Sequence, residues 1–326
     1  SLAARQLALS ATTSALALAV LVVLLRRRRG ASRKSWPAEA YAPFTPLLTL
    51  AGTALSGVPE AAVAVSFERA HDRRPHASDG RIDDIWGAKL AGGAKLFDQS
   101  KFRLRRIGWE APGRLVRLEV GLTGYKEYIG THRVGAEDFA ALERAGADAH
   151  ADAHAHLSCA LGCEAMLLTA DRRIVLLRRS AKTATHSGLY NGPSGHPEPL
   201  NAGIEAHVAS PAVAEHEAAA ARVRAELFSS VIEEVHDETN VPRESLSAPL
   251  LIGAMEDQVR KPDLLFLVTT SLDAAGVRAC YARGAAEGWE SDRLIFWPAD
   301  TLGRGCDLPL TPVTRAAIDC FVKLKM

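Results

Sequence analysis

An α+β fold is predicted for this 326-residue chain from three observations. Apolar runs of strand length recur along it, some alternating with polar residues and some continuous, each ended by turn residues. Between them lie stretches whose apolar residues return at helical spacing. The apolar fraction, 48%, is enough to close a core over a chain of this length. The expected plan is a hydrophobic N-terminal segment (1–29), a linker (30–58), a smaller α+β domain (59–150) and a larger domain (151–326) that carries the chemistry.

The N-terminal segment is defined by charge. Leu7–Leu25 holds no ionisable residue, and as a helix its length would approach the thickness of a bilayer's hydrocarbon. Arg26–Arg29 follow at once, with Arg33 and Lys34 beyond. A cleaved signal would carry its cations before the apolar run, so a single-pass anchor with the remainder facing the cytoplasm is expected. An organelle-targeting leader on a soluble protein is the alternative. Residues 1–34 contain seven cations and no acid; without them 32 cations stand against 38 anions, a net charge of −6. A body of that sign excludes general nucleic-acid binding. Five cysteines without framework spacing suit free thiols.

Residues 30–58 are rich in Gly, Ser and Pro and read as a linker, its second half (44–55) apolar enough to pack on a neighbour. Val63–Phe67 alternates like a strand. Ile82, Ile85, Trp86 and Leu90 place a helix over 81–96. Phe102–Leu104 and Leu115–Leu122 alternate again, and 136–144 is a short helix. His150, His154 and His156 lie near Cys159 and Cys163, but their spacing fits no standard zinc site, and the Ala-rich surroundings read as a connector. Glu164–Leu168 and Ile174–Arg178 are strands joined by a turn at Asp171-Arg172. Leu250–Met255, Leu264–Thr270 and Leu294–Trp297 are further strands, and 313–324 is a final packing helix.

Two stretches carry the chemistry. Arg224–Val241 is a helix in which Glu234, Asp237 and Glu238 share a face at spacings i, i+3 and i+4, beside an apolar stripe of Phe228, Val231, Ile232 and Val235. Clustered acids on a packed helix repel one another. They are either a solvated face or a seat for a hard cation, which takes carboxylate oxygens alongside phosphate. The second stretch is the loop Gly192–Pro199, GPSGHPEP, whose Gly and Pro residues fix an irregular backbone close to any ligand. Arg178-Arg179 at the end of a strand offers paired donors to phosphate or is simply solvated surface.

Glu234 through Val241 resembles the end of the Nudix box, and Gly195-His196-Pro197-Glu198-Pro199 resembles its opening Gly loop. The departures are specific: Leu200–Arg222 is inserted between loop and helix, Glu233 stands for Arg, Asp237 for Glu and Asn240 for Gly. Together with HDRRP (71–75), LFDQSKFRL (96–104), LTGYKEYIGTH (122–132) and ELFSSVIEEVHDETN (226–240), they resemble the UDP-glucose pyrophosphatase branch of the Nudix hydrolases. That resemblance implies an α/β/α sandwich around a mixed sheet for the larger domain. It implies Mg²⁺-dependent hydrolysis of a UDP-sugar, with Mn²⁺ as the alternative ion. Glu234, Asp237 and Glu238 are then the catalytic metal ligands. Arg179, Asn191, His196 and Glu198 are the substrate-binding residues at the phosphates, and Phe97 and Tyr125 hold the nucleotide end. Glu233 and Glu198 are candidates for the general base. The inserted segment is either a helix or a lid. The rival readings are a non-catalytic nucleotide-sugar sensor and a hydrolase of another nucleoside diphosphate derivative.

Overall fold

The structure is a computed structural model and describes residues 38–324 except 54, 94–95, 112, 184, 210–211 and 305–306. The anchor expected at Leu7–Leu25 lies outside the described residues. Among the described residues no helix is long and apolar enough to cross a membrane.

Glu39–Met326 form one compact unit. Its larger sheet is mixed, with strand order β1 (Phe44–Thr49), β9 (Leu250–Asp257), β10 (Pro262–Thr269), β5 (Gly162–Leu168), β6 (Arg173–Arg179) and β11 (Ser291–Pro298). The β10–β5 pair is parallel and its neighbours are antiparallel. Two-residue strands β7 (Tyr190–Asn191) and β8 (Ser194–Gly195) pair with β6 and β5. A second sheet has the order β2 (Val63–Phe67), β4 (Leu115–Gly124), β3 (Ser100–Ala111). The helices are α1 (Gly80–Ala91), α2 (Tyr125–His132), α3 (Ala136–His150), α4 (Val213–Thr239), α5 (Ala274–Ala282) and α6 (Pro312–Val322).

The central strands are apolar without alternation because both faces are covered. Along β5, Cys163, Ala165 and Leu167 join the cluster around α4, whose Leu227, Phe228, Val231 and Val235 fill the space between the two sheets. Met166 and Leu168, one residue out of phase, join the opposite cluster, closed by Ala316, Ala317 and Phe321 of α6. The same two-residue rhythm recurs in β6 and β10. Val63, Phe67, Val116 and Val120 of the second sheet reach the α4 cluster, so one continuous core backs both sheets.

Two segments differ from expectation. Phe44–Thr49, within the stretch read as linker, is an edge strand antiparallel to β9, with Leu48 buried. Its Pro-containing sequence hid the strand, but an edge position tolerates proline. The inserted segment is divided: Val213–Arg222 form the first turns of α4, which runs 27 residues, and the preceding residues are loop. Glu215 caps that start, its carboxylate accepting the Ala212 N–H at 2.9 Å.

Candidate active site

Helix α4 and the GPSGHPEP loop are joined by side chain-to-backbone bonds along their shared length. Glu238 Oε1 accepts the Ser194 N–H at 2.8 Å, and Glu226 Oε1 accepts the Glu198 N–H at 3.0 Å. Between them Glu234 accepts the His196 N–H. Gly195 is required here: a Cβ at this position would overlap the Glu234 carboxylate. Gly192 is needed for the same reason, since a Cβ there would strike the Ala165 carbonyl of β5. Glu226 was not among the expected site residues; a carboxylate eight residues before Glu234 on one helix face was the available signal.

Burial and like charge raise the acids. Desolvation first, then Glu287, Glu290 and Asp237, pushes Glu234 up to about 8. Glu238, almost fully buried, is held well above its ordinary range by desolvation, Glu234 and Glu290, despite the Ser194 amide. Glu287 and Glu290 come from the segment before β11 and are raised as well, desolvation leading in both. Sequence reading missed this pair, because nothing local ties them to α4. The fold does: Glu287 N–H donates to the Asp237 carbonyl at 2.9 Å, and Ser180 N–H to the Glu290 carbonyl at 2.7 Å. Asp237 is half-exposed, 3.8 Å from Arg243.

Among the described residues no three His, Cys, Asp or Glu side chains converge as a ready metal cage. The donor set nevertheless fits a hard divalent cation. It is all oxygen and crowded with negative charge: Glu287, Glu290 and Asp237 raise Glu234, Glu234 and Glu290 raise Glu238, and Glu290 and Asp237 raise Glu287.

Arg179 brings positive charge next to the acids. Arg179 is electrostatically coupled to Glu238 and Glu290, and its Nε donates to the Thr185 carbonyl at 3.0 Å. His196 is kept neutral by burial and by Lys261, Lys101 and Arg179, and its Nε2 is buried with no hydrogen-bond partner. Lys261 is half-buried against Asp263 at 2.5 Å, packed where any side chain on Gly162 would clash with it.

Other expected residues are placed differently. Glu233 is exposed and forms a bidentate pair with Arg243 on the outer face of α4, so it does not add to the acid cluster and is removed from the candidate bases. Position 233 points about 100° away from 234 on a helix, which separates it from the loop. Glu198 is likewise paired, with Lys101 at 2.5 Å. Asn191 is buried and donates to Ser194 Oγ at 2.8 Å, so this amide hydrogen holds the loop turn. Tyr125 is half-buried and packs edge-on against Trp86, with ring centroids 6.3 Å apart. Phe97 is 77% exposed and has no ring partner among the described residues.

This arrangement can bind a polyanion between the Arg179 guanidinium, with the neutral His196 near it, and a carboxylate set whose chemistry fits a divalent cation. The chain is 37% identical over 250 residues to the mouse (Mus musculus) protein named uridine diphosphate glucose pyrophosphatase NUDT22, covering 74% of this chain and 78% of that one. It is 32% identical over 258 residues to Nudix hydrolase 9 of Arabidopsis thaliana, covering 76% and 81%. Among solved structures, the MutT protein of Methanosarcina mazei Go1 aligns with 50% of this chain and 92% of its own, at 14% identity and a TM-score of 0.31. No model of a protein family matches the chain.

Proposed function

The chain belongs to the Nudix hydrolases, and from that premise we propose that it hydrolyses the pyrophosphate of UDP-glucose and related UDP-sugars to UMP and a sugar 1-phosphate. The observation that carries the chemistry is the clamp of Glu234 and Glu238 against the backbone of the loop, opposite Arg179 and His196.

An anhydride is shielded from nucleophiles by its own negative charge. A divalent ion, Mg²⁺ or Mn²⁺, held by Glu234, Asp237 and Glu238 with Glu287 alongside, would neutralise that charge and lower the pKa of bound water. Arg179 and Lys261 bring positive charge to the phosphate oxygens, and Arg179 alone offers the paired N–H geometry that matches them. His196, neutral, donates from its unpartnered Nε2, a tautomer consistent with a buried nitrogen waiting for an acceptor. Glu290 takes the proton from the attacking water. It lies in the electrostatic reach of both Glu234 and Arg179, and its raised proton affinity makes it a better base than an ordinary carboxylate. One P–O bond forms from water and the anhydride P–O bond breaks. Tyr125, with Trp86 and Tyr128 behind it, supplies the aromatic face for the base.

The test is product analysis with purified protein. UDP-glucose should give UMP and glucose 1-phosphate only when Mg²⁺ or Mn²⁺ is present. UDP with free glucose would mean that a different bond is cut, and binding without turnover in any metal would mean a sensor. Glu290→Gln should lower kcat about 100-fold and leave KM nearly unchanged; a pure KM effect would remove Glu290 from proton transfer.

A further inference from the structure

A cavity of about 330 Å³ is lined in part by Thr185, whose carbonyl accepts from Arg179 Nε. Its walls come mainly from three segments, with Glu39 and Pro312 added from two others. Arg133 follows α2, Thr183, Thr185 and His186 lie on the loop leaving β6, and Asp257 and Gln258 stand at the β9–β10 turn. The walls are fixed. His132 holds the turn through the Val259 carbonyl at 2.6 Å, and Arg133 donates to the Tyr128 hydroxyl at 3.0 Å. The loop is tied to the active site itself, because the Thr185 carbonyl is the acceptor of Arg179 Nε. A ligand whose phosphate rests on Arg179 therefore has this cavity one residue away.

The chemistry of the lining selects the ligand. Hydroxyl, carboxamide, carboxylate, guanidinium and imidazole groups surround the space, Pro312 is the apolar contribution, and no Phe, Tyr or Trp lines it among the described residues. His186 is held with φ of 55°, an unfavourable conformation for a non-glycine residue, and its buried Nδ1 has no hydrogen-bond partner. A base needs an aromatic face, and the aromatic group of Trp86, Tyr125 and Tyr128 lies along α2. A pyranose presents several hydroxyls, each of which needs a hydrogen-bond partner. We propose that this cavity is the subsite for the sugar of the nucleotide sugar, with Thr185, His186 and Gln258 bonding its hydroxyls. The assignment rests on the reading of the substrate given above.

The test measures ligand binding by the full chain and needs no turnover. Calorimetry compares glucose 1-phosphate and UMP, each with Ca²⁺, for wild type and for the Thr185→Val, Gln258→Leu double variant. Thr185→Val keeps the backbone carbonyl that receives Arg179. The double variant should lose about tenfold or more in affinity for glucose 1-phosphate and keep its UMP affinity within about twofold. Loss of UMP binding instead would assign the cavity to the nucleoside and overturn the proposal. Equal loss of both ligands, no loss of either, or no glucose 1-phosphate binding by wild type would overturn it as well. If wild type cleaves ADP-glucose but not UDP-glucose while the sugar-selective loss persists, the uridine reading fails and the sugar subsite stands.

Discussion

Glu238 is the residue on which catalysis should depend most. One oxygen is fixed by the Ser194 amide and the residue is buried, so removing its charge alters metal affinity more than packing. Glu238→Gln should reduce Mg²⁺-dependent turnover at least ~1000-fold while circular dichroism and Tm stay at wild-type values or rise; retained turnover would exclude it as a ligand. Glu164 makes a different prediction. It is fully buried in β5, its Oε2 accepts from Thr314 at 3.0 Å, its Oε1 has no partner, and desolvation pushes it up to about 8. Because the folded-state pKa lies above the ordinary carboxylate value, both states hold the proton below about pH 4.5. Between there and pH 8 the unfolded chain ionises first, so stability falls as pH rises. Glu164→Gln should remove that contribution: its Tm advantage over wild type should grow from pH 5 to pH 8, and a pH-independent difference would mean the carboxyl is ionised throughout. The acids of 234–238 were readable from i, i+3, i+4 spacing. The isolation of Glu233 was not, because adjacent helix positions differ in direction and only Arg243, ten residues on, shows which way 233 faces.

At the scale of elements, the unit of function is a helix and a loop locked edge to edge. Its weakest tolerance is Gly195, where a methyl group would occupy the volume of the Glu234 carboxylate. Gly195→Ala should cost more in kcat than in fold: the folded protein forms, with activity down by at least ~100-fold, since carboxylate displacement by even one ångström disturbs the metal seat. Full activity in this variant would show that the clamp is not needed. At the other end of the helix, Asn240 has φ of 57° and its amide donates to the Cys280 carbonyl at 3.1 Å. Asn240→Gly should therefore be within about 1 kcal/mol of wild type in denaturant melts, the backbone gain of Gly offsetting the lost bond. Asn240→Val, which cannot adopt this conformation without strain, should be clearly less stable. Helix α4 itself was legible from Arg224 onward by its apolar stripe. Its first turns were not, since Val213–Arg222 is rich in Ala and Glu and packs too little to show a stripe.

For the whole molecule, the acid cluster couples metal, pH and stability. Glu234 is pushed up to about 8, and Glu238 is raised well above its ordinary range despite Arg179, so the contribution of each to stability declines as pH rises above about 4.5, by the same sign as at Glu164. A divalent cation binds only the ionised forms. Mg²⁺ should therefore raise Tm by several degrees at pH 8 and by little at pH 5, as followed by differential scanning fluorimetry. A Tm indifferent to Mg²⁺ at pH 8 would contradict a cation site in this cluster.

By itself the sequence determined the elements whose patterns are local: the strands with two-residue or continuous apolar rhythm, the packed acid helix, the Gly-Pro loop and the branch resemblance that names the reaction. Helical and strand periodicities are properties of neighbouring residues, so they survive without a fold. Only the tertiary structure decided which charges meet. It brought Glu287 and Glu290 to α4, set Arg179 against the acids, paired Glu198 with Lys101 and placed Phe44–Thr49 at the sheet edge. These are contacts between segments tens to hundreds of residues apart, and Coulomb forces and desolvation act through space, not along the chain.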